Sequence, residues 1–204
     1  MRIRRFETNP TIHSDMDGRM GTNINGPSLI RVPDWVPNPF GKYYLYFAHH
    51  QGTYIRLAFA DELEDPWHLH SPGVLDLADS FFRSHIASPD VHVLEDRRQI
   101  RMYYHGCCNP EPPHQVTRSA TSEDGLSFVA RPDILGSSYW RVFRWDDYWY
   151  TLEMPGIFRR SANGLSDFED GPRLFTKDMR HSAVLVDHET RTIVRNGFCG
   201  PQLI

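Results

Sequence analysis

The sequence predicts an all-β fold, a β-propeller of four-stranded antiparallel blades, and three observations predict it. Apolar and aromatic runs of about 5–8 residues alternate with clusters of Pro, Gly, Asn and Asp, as hairpin-linked strands do. The order strand, turn, aromatic strand, loop, third strand returns with starts at Pro27, Pro89, Tyr139 and His181, a spacing of roughly 40–60 residues. A polar turn followed by an aromatic closes each of the first three units, where it can anchor a short fourth strand. A meander or sandwich with chance self-similarity is the alternative, but it does not explain three features recurring in one order.

Residues 1–24 are polar and rich in turn formers. The first unit then reads Pro27–Val32, a turn-rich stretch to Gly41, the aromatic strand Lys42–Ala48 and the third strand Thr53–Ala60. Its closing turn is the loose copy Ala60–Trp67. Asp76–Arg83 makes at most a turn or two of helix in a loop. The second unit is Pro89–Leu94, Gln99–His105 and Gln115–Thr121, closed by Ser122-Glu-Asp-Gly-Leu-Ser-Phe128. The third is Tyr139–Phe143, Tyr148–Leu152 and Gly156–Ser161, closed by Ser161-Ala-Asn-Gly-Leu-Ser-Asp-Phe168. In both closing turns the Asp or Asn and the Gly are accounted for by turn geometry and need no catalytic role. A fourth unit starts at His181–Asp187. After Val194 no aromatic second strand is read, and Arg195–Ile204 does not resemble one.

The expectation is therefore a single propeller domain over residues 1–204, about three and a half blades long, lacking C-terminal blades. Open edges of such a partial ring would offer a route to self-association.

Composition narrows the function. The 204 residues hold 22 Lys+Arg against 26 Asp+Glu, a formal net charge of −4, which argues against a nucleic-acid or membrane partner engaged through bulk charge. Aromatics make up 13%, which favours short strands over long helices. The three cysteines, Cys107, Cys108 and Cys199, imply no disulfide framework and suit a reducing compartment. Basic residues at the N-terminus have no apolar stretch behind them, and no run of apolar residues is long enough to span a bilayer. A cytoplasmic location is expected. Cys and His spacings fit no zinc pattern, and Asp15 and Asp17 lack an EF-hand frame. No nucleotide or hydrolase motif is found, so neither a metal site nor a cofactor is expected.

Asn25-Gly-Pro-Ser-Leu-Ile30, Ala87-Ser-Pro-Asp-Val91, the aromatic second strands and the turn at Ser122–Phe128 resemble the five-bladed arabinanase, β-xylosidase, invertase and levansucrase superfamily, nearest to the family 43 glycoside hydrolases. The resemblance covers roughly residues 25–190. It implies that inner strands start near a central axis and that a carbohydrate is bound or cleaved there. Two carboxyl groups would flank the scissile bond, about 6.5–9.5 Å apart for inversion or about 5–5.5 Å for retention.

In these families the first blade gives a base or nucleophile Asp, the second a supporting Asp and the third an acid Glu. Asp90 resembles the second. The first would fall at Gly26, with Asn25 and Asp17 as neighbours, and the third near Ser137 or Ser138, with Glu153 the nearest acid. Two of the three positions thus carry no carboxyl group, which sets a glycosidase against a non-catalytic glycan- or protein-binding propeller.

Histidines at unit starts (His85, His181) and at the ends of second strands (His49, His50, His105) supply other proton-transfer and hydrogen-bonding groups. His85 is assigned with Asp90 to catalysis. Asn25, His49, His50, His105, Arg180 and His181 are assigned to the substrate pocket, His181 because it resembles a fourth-blade histidine of the family.

Overall fold

The computed structural model describes residues 5–7, 9–109, 114–173, 175, 176, 178–187, 189 and 192–199, with His181 and 192–199 described by backbone alone. Strands β1 (Asn25–Arg31), β2 (Tyr43–Ala48), β3 (Tyr54–Ala60) and β4 (His68–Asp76) form one antiparallel sheet in sequential order. β5 (Ile86–Leu94), β6 (Gln99–Cys107), β7 (Gln115–Ser122) and β8 (Val129–Ala130) form the second, with β9 (Gly136–Ser137) on the free part of β7. β10 (Arg141–Trp145), β11 (Tyr148–Glu153), β12 (Ile157–Ser161) and β13 (Glu169–Arg173) form the third. β14 (Met179–Asp187) and β15 (Thr192–Cys199) pair as a two-stranded start of a fourth.

The predicted repeat is therefore a series of propeller blades, three whole and one begun among the described residues. Two details differ from the sequence reading. Thr192–Cys199 does form a second strand, because backbone pairing with β14 does not require the aromatic side chains that mark β2, β6 and β11. In the third blade the inner strand starts at Arg141, and Tyr139 and Trp140 lie before it.

Each inner strand opens on the same irregularity. The β1–β2 register slips between Asn25 and Ser28, and the β5–β6 register between Ala87 and Asp90. Gly26 and Ser88 inside these bulges have positive φ, 62° and 49°. In the third blade the Met154 N–H bonds the Ser138 carbonyl, Arg141 pairs Leu152, and Tyr139 between them has φ 62°. The β14–β15 register slips between Met179 and His181, around Arg180. Gly26, Ser88 and Tyr139 are thus equivalent, and Arg180 holds the bulge of the fourth strand. A glycine is required at Gly26, since a Cβ there would lie 2.8 Å from the Ser88 Cα.

Neighbouring blades are stacked through apolar faces. Tyr44, Tyr46, Ile55 and Leu57 of the first meet Ile86, Val91, Met102 and Tyr104 of the second in the main core. Tyr103 and Leu94 meet Trp140, Val142 and Trp149 across the next junction. The opposite face of the first blade is not bare. Met20, only 1% exposed, packs on Phe47, Ala58, Ala60 and Trp67 together with Ile12, Met16 and Ile24.

Two hydrogen bonds recur at these junctions. The Val91 N–H donates to Ser28 Oγ at 2.9 Å, and the Val142 N–H donates to Asp90 Oδ2 at 2.7 Å. The Tyr46 hydroxyl donates to the Gly125 carbonyl at 2.9 Å, and the Tyr103 hydroxyl donates to the Gly164 carbonyl at 2.8 Å. Ser28 pairs Tyr46 and Asp90 pairs Tyr103 across their hairpins, so each junction is closed by one inner-strand acceptor and one second-strand hydroxyl.

The turns that receive the tyrosines are built alike. Asp124 Oδ1 accepts from the Leu126 and Ser127 N–H groups at 2.8 and 2.9 Å, and Asn163 Oδ1 accepts from Leu165 and Ser166 at 2.7 and 2.9 Å. This is the turn geometry the sequence suggested for Ser122–Phe128 and Ser161–Phe168.

Candidate functional site at the inner-strand starts

The bulges bring most of the sequence-predicted site residues into one linked arc. Asn25 Nδ2 donates to Asn23 Oδ1 at 2.8 Å, and the same oxygen accepts the His50 N–H at 2.9 Å. His50 lies close enough to His85 to affect its titration. His85 and His105 meet edge-on with ring centroids 6.0 Å apart, and His105 meets Tyr139 at 4.4 Å. Arg180 in turn acts electrostatically on the Tyr139 hydroxyl. The arc crosses from the first blade to the fourth, with His105 at the end of β6 and Tyr139 in the third-blade bulge.

The remaining candidates stand apart from that arc or cannot be placed in it. His49 is half-buried beside it, and its Nδ1 accepts the Gln51 N–H at 3.0 Å. The side chain of His181 lies outside the described residues, although its backbone sits beside the β14 bulge. Asp17 faces Ser71 and the backbone of Arg19 rather than Asn25.

By its register Asp90 stands two residues past the β5 bulge residue Ser88. Its counterpart in β1 is Ser28, not Gly26, and its carboxylate is engaged across the junction. Besides Val142, Oδ2 lies 3.0 Å from His92 Nε2, and Oδ1 lies 3.8 Å from the Arg141 guanidinium. Burial pushes this carboxyl upward, but His92, Arg141 and the Val142 N–H together outweigh it and hold the group below the ordinary carboxylate range.

Glu153 is likewise engaged. Oε2 accepts from the Trp140 indole at 2.5 Å and from the Ser137 N–H at 3.1 Å. Burial leaves its carboxyl raised despite Trp140 and Arg159. The bulge residues Gly26, Ser88, Tyr139 and Arg180 include no carboxylate.

The His85 imidazole is suited to neutral hydrogen bonding. Burial, reinforced by His50, holds His85 below the usual histidine value. Burial raises the Tyr139 hydroxyl, with Arg180 opposing. Among the described residues no group of His, Cys, Asp and Glu is arranged to hold a metal ion. Cavities of about 540 and 410 Å³ open on the outer strands of the third blade, lined by residues such as Arg159, Asn163, Phe168 and Tyr150, Phe158, Arg160, and no residue of the arc borders them. No described helix is long and apolar enough to cross a membrane.

Sequence reasoning leaves Tyr139 as a core or sugar-stacking aromatic, with core favoured, and does not single out Asn23. Tyr139 was read inside a strand. The only signal that could have moved it was the alignment of Ser-Ser-Tyr-Trp with Asn-Gly-Pro and Ala-Ser-Pro through the left-handed position, which neither a β-prone Tyr nor its neighbours advertise.

No protein-family model matches the chain. It is 33% identical over 191 residues to an uncharacterized protein, R118, of Acanthamoeba polyphaga mimivirus, covering 83% of this chain and 53% of that protein. The chain thus spans about half the length of the curated relative it matches. Among solved structures it resembles the exo-β-1,3-galactanase of Phanerochaete chrysosporium bound to galactose, with TM-score 0.60 and 11% identity over 82% of this chain and 42% of that one. A family 43 enzyme of Xanthomonas citri complexed with xylotriose gives TM-score 0.55 and 14% identity over 72% and 54%. A compost-metagenome family 43 β-xylosidase/α-arabinofuranosidase, also with xylotriose, gives 0.56 and 14% over 88% and 74%. The chain has the β-propeller fold of the family 43 glycoside hydrolases.

Proposed function

We propose that this protein binds a saccharide at the inner-strand starts, and that the blades present here do not supply the paired carboxyl groups of glycoside hydrolysis. One observation carries the reading. The left-handed bulge residues Gly26, Ser88 and Tyr139, together with Arg180 in the β14 bulge, place hydrogen-bonding groups and no acid at these positions among the described residues. Asn25, His50, His85 and His105 border the same place as donors and acceptors for sugar hydroxyls. Structures sharing the fold hold galactose and xylotriose, which supports a carbohydrate as the ligand class.

The test pairs binding with turnover. Isothermal titration of the full chain with a panel of oligosaccharides should show saturable binding, while a sensitive aryl glycoside releases no phenol above the rate of buffer. Phenol release that Asp90→Asn abolishes would instead establish the glycosidase reading, with Asp90 and His85 as its catalytic groups.

A further inference from the structure

The hub arc has an unusual charge balance for a site that binds a neutral sugar. From Asn25 through His50, His85, His105 and Tyr139 to Arg180 it holds one permanent cation and three imidazoles, and none of its members is Asp or Glu. The nearest inner-strand acid in sequence, Asp90, is already opposed by His92 and Arg141. Glu153 is turned to Trp140, Ser137 and Arg159.

Arg180 is exposed and has no carboxylate partner among the described residues. It sits in the β14 bulge, where its charge is felt by the buried Tyr139. A neutral ligand covering this guanidinium would desolvate it without pairing it, which is costly. A carboxylate would meet its planar fork with two parallel hydrogen bonds.

We propose that the saccharide bound at the hub is anionic, of the uronic-acid class, with its carboxylate on Arg180 and its hydroxyls on the imidazoles and Asn25. This rests on the carbohydrate reading given above and adds the charge of the ligand to it. The overall charge of −4 does not predict it, because the selectivity resides in one local array.

The experiment is calorimetric titration of the full chain with an oligogalacturonate, with a xylo-oligosaccharide of the same length and with sodium sulfate, each at about 50 mM and about 300 mM NaCl. The uronate is expected to bind about tenfold or more tightly than the neutral sugar, and the higher salt to reduce that advantage. Arg180→Gln should remove the preference while leaving the melting temperature unchanged, as expected for an exposed side chain. Equal affinity for both sugars, or a preference that survives Arg180→Gln, would overturn the inference and leave the carbohydrate reading intact. Sulfate binding as tight as the uronate would overturn it in favour of a plain anion site. Binding of neither sugar would overturn both.

Discussion

The junctions that join the first three blades and the junction that follows the third are built from equivalent positions with different chemistry. At the first two, Ser28 and Asp90 accept an N–H from the next inner strand, and Tyr46 and Tyr103 donate to the next closing turn. At the third, the same two positions are Arg141 and Leu152, which pair with each other across β10 and β11. A guanidinium has no acceptor and a leucine has no donor, so neither bond can be made there. Arg141 instead donates backward, to the Pro89 carbonyl at 3.4 Å. Among the described residues that face carries an aromatic stack, with Phe143 on Tyr150 at 5.5 Å and Tyr150 on Phe158 at 5.3 Å. Packing without directional bonds sets proximity but not register, so the first two junctions should be the stiff part of the molecule and the third its adjustable part.

Perturbations of the stiff junctions should separate cleanly by size. The largest effect is expected from Gly26→Ala, which adds a Cβ 2.8 Å from the Ser88 Cα at a left-handed φ. A loss of about 3 kcal/mol in urea unfolding is expected. A loss below about 1 kcal/mol would show that the first junction yields easily.

Tyr103→Phe and Tyr46→Phe should each cost about 1–2 kcal/mol by the same assay, because each leaves a turn carbonyl without its donor. An unchanged melting curve and urea midpoint would mean that the tyrosines are held by packing alone. Ser28→Ala should cost about 1 kcal/mol or less, its loss being one neutral hydrogen bond. At the third junction, native-state hydrogen exchange should find β14 amides opening at lower free energy than those of β5. Equal protection would erase the distinction between the junctions.

Acid should act on the second junction first. The Asp90 carboxyl titrates lower in the folded chain than its ordinary value, so the stability it contributes is present above pH 4 or so and is lost as pH falls through the folded value. Wild type should lose stability faster than Asp90→Asn between about pH 5 and pH 2, as followed by fluorescence of Trp140 and Trp149 in the adjoining cluster.

Much of this was legible in the sequence. Turn chemistry at Ser122–Phe128 and Ser161–Phe168 and the aromatic second strands mark the blades, because both signals act over a few neighbouring residues. His85 and Arg180 stand next to unit starts in the sequence, whereas His50 and His105 lie at the ends of second strands, and only the strand pairing brings those ends beside the inner-strand starts. The identity of the slots was not legible. Asp90 and Gly26 flank a proline from opposite sides, and only the strand register shows that Asp90 matches Ser28 while Gly26 matches Ser88 and Tyr139. The strand at Thr192–Cys199 was missed because its pairing is carried by backbone groups that any sequence possesses.

The most direct test of the account is Asp90→Asn, read for stability and for ligand together. The amide keeps the size of the side chain but gives up its charge against His92 and Arg141. We expect a loss of about 2–3 kcal/mol in unfolding free energy, with saccharide affinity of the folded variant changed by less than about twofold. Unchanged stability with abolished glycoside turnover would contradict it, because Asp90 would then be a reacting group at the hub and not the bond that holds the second blade to the third.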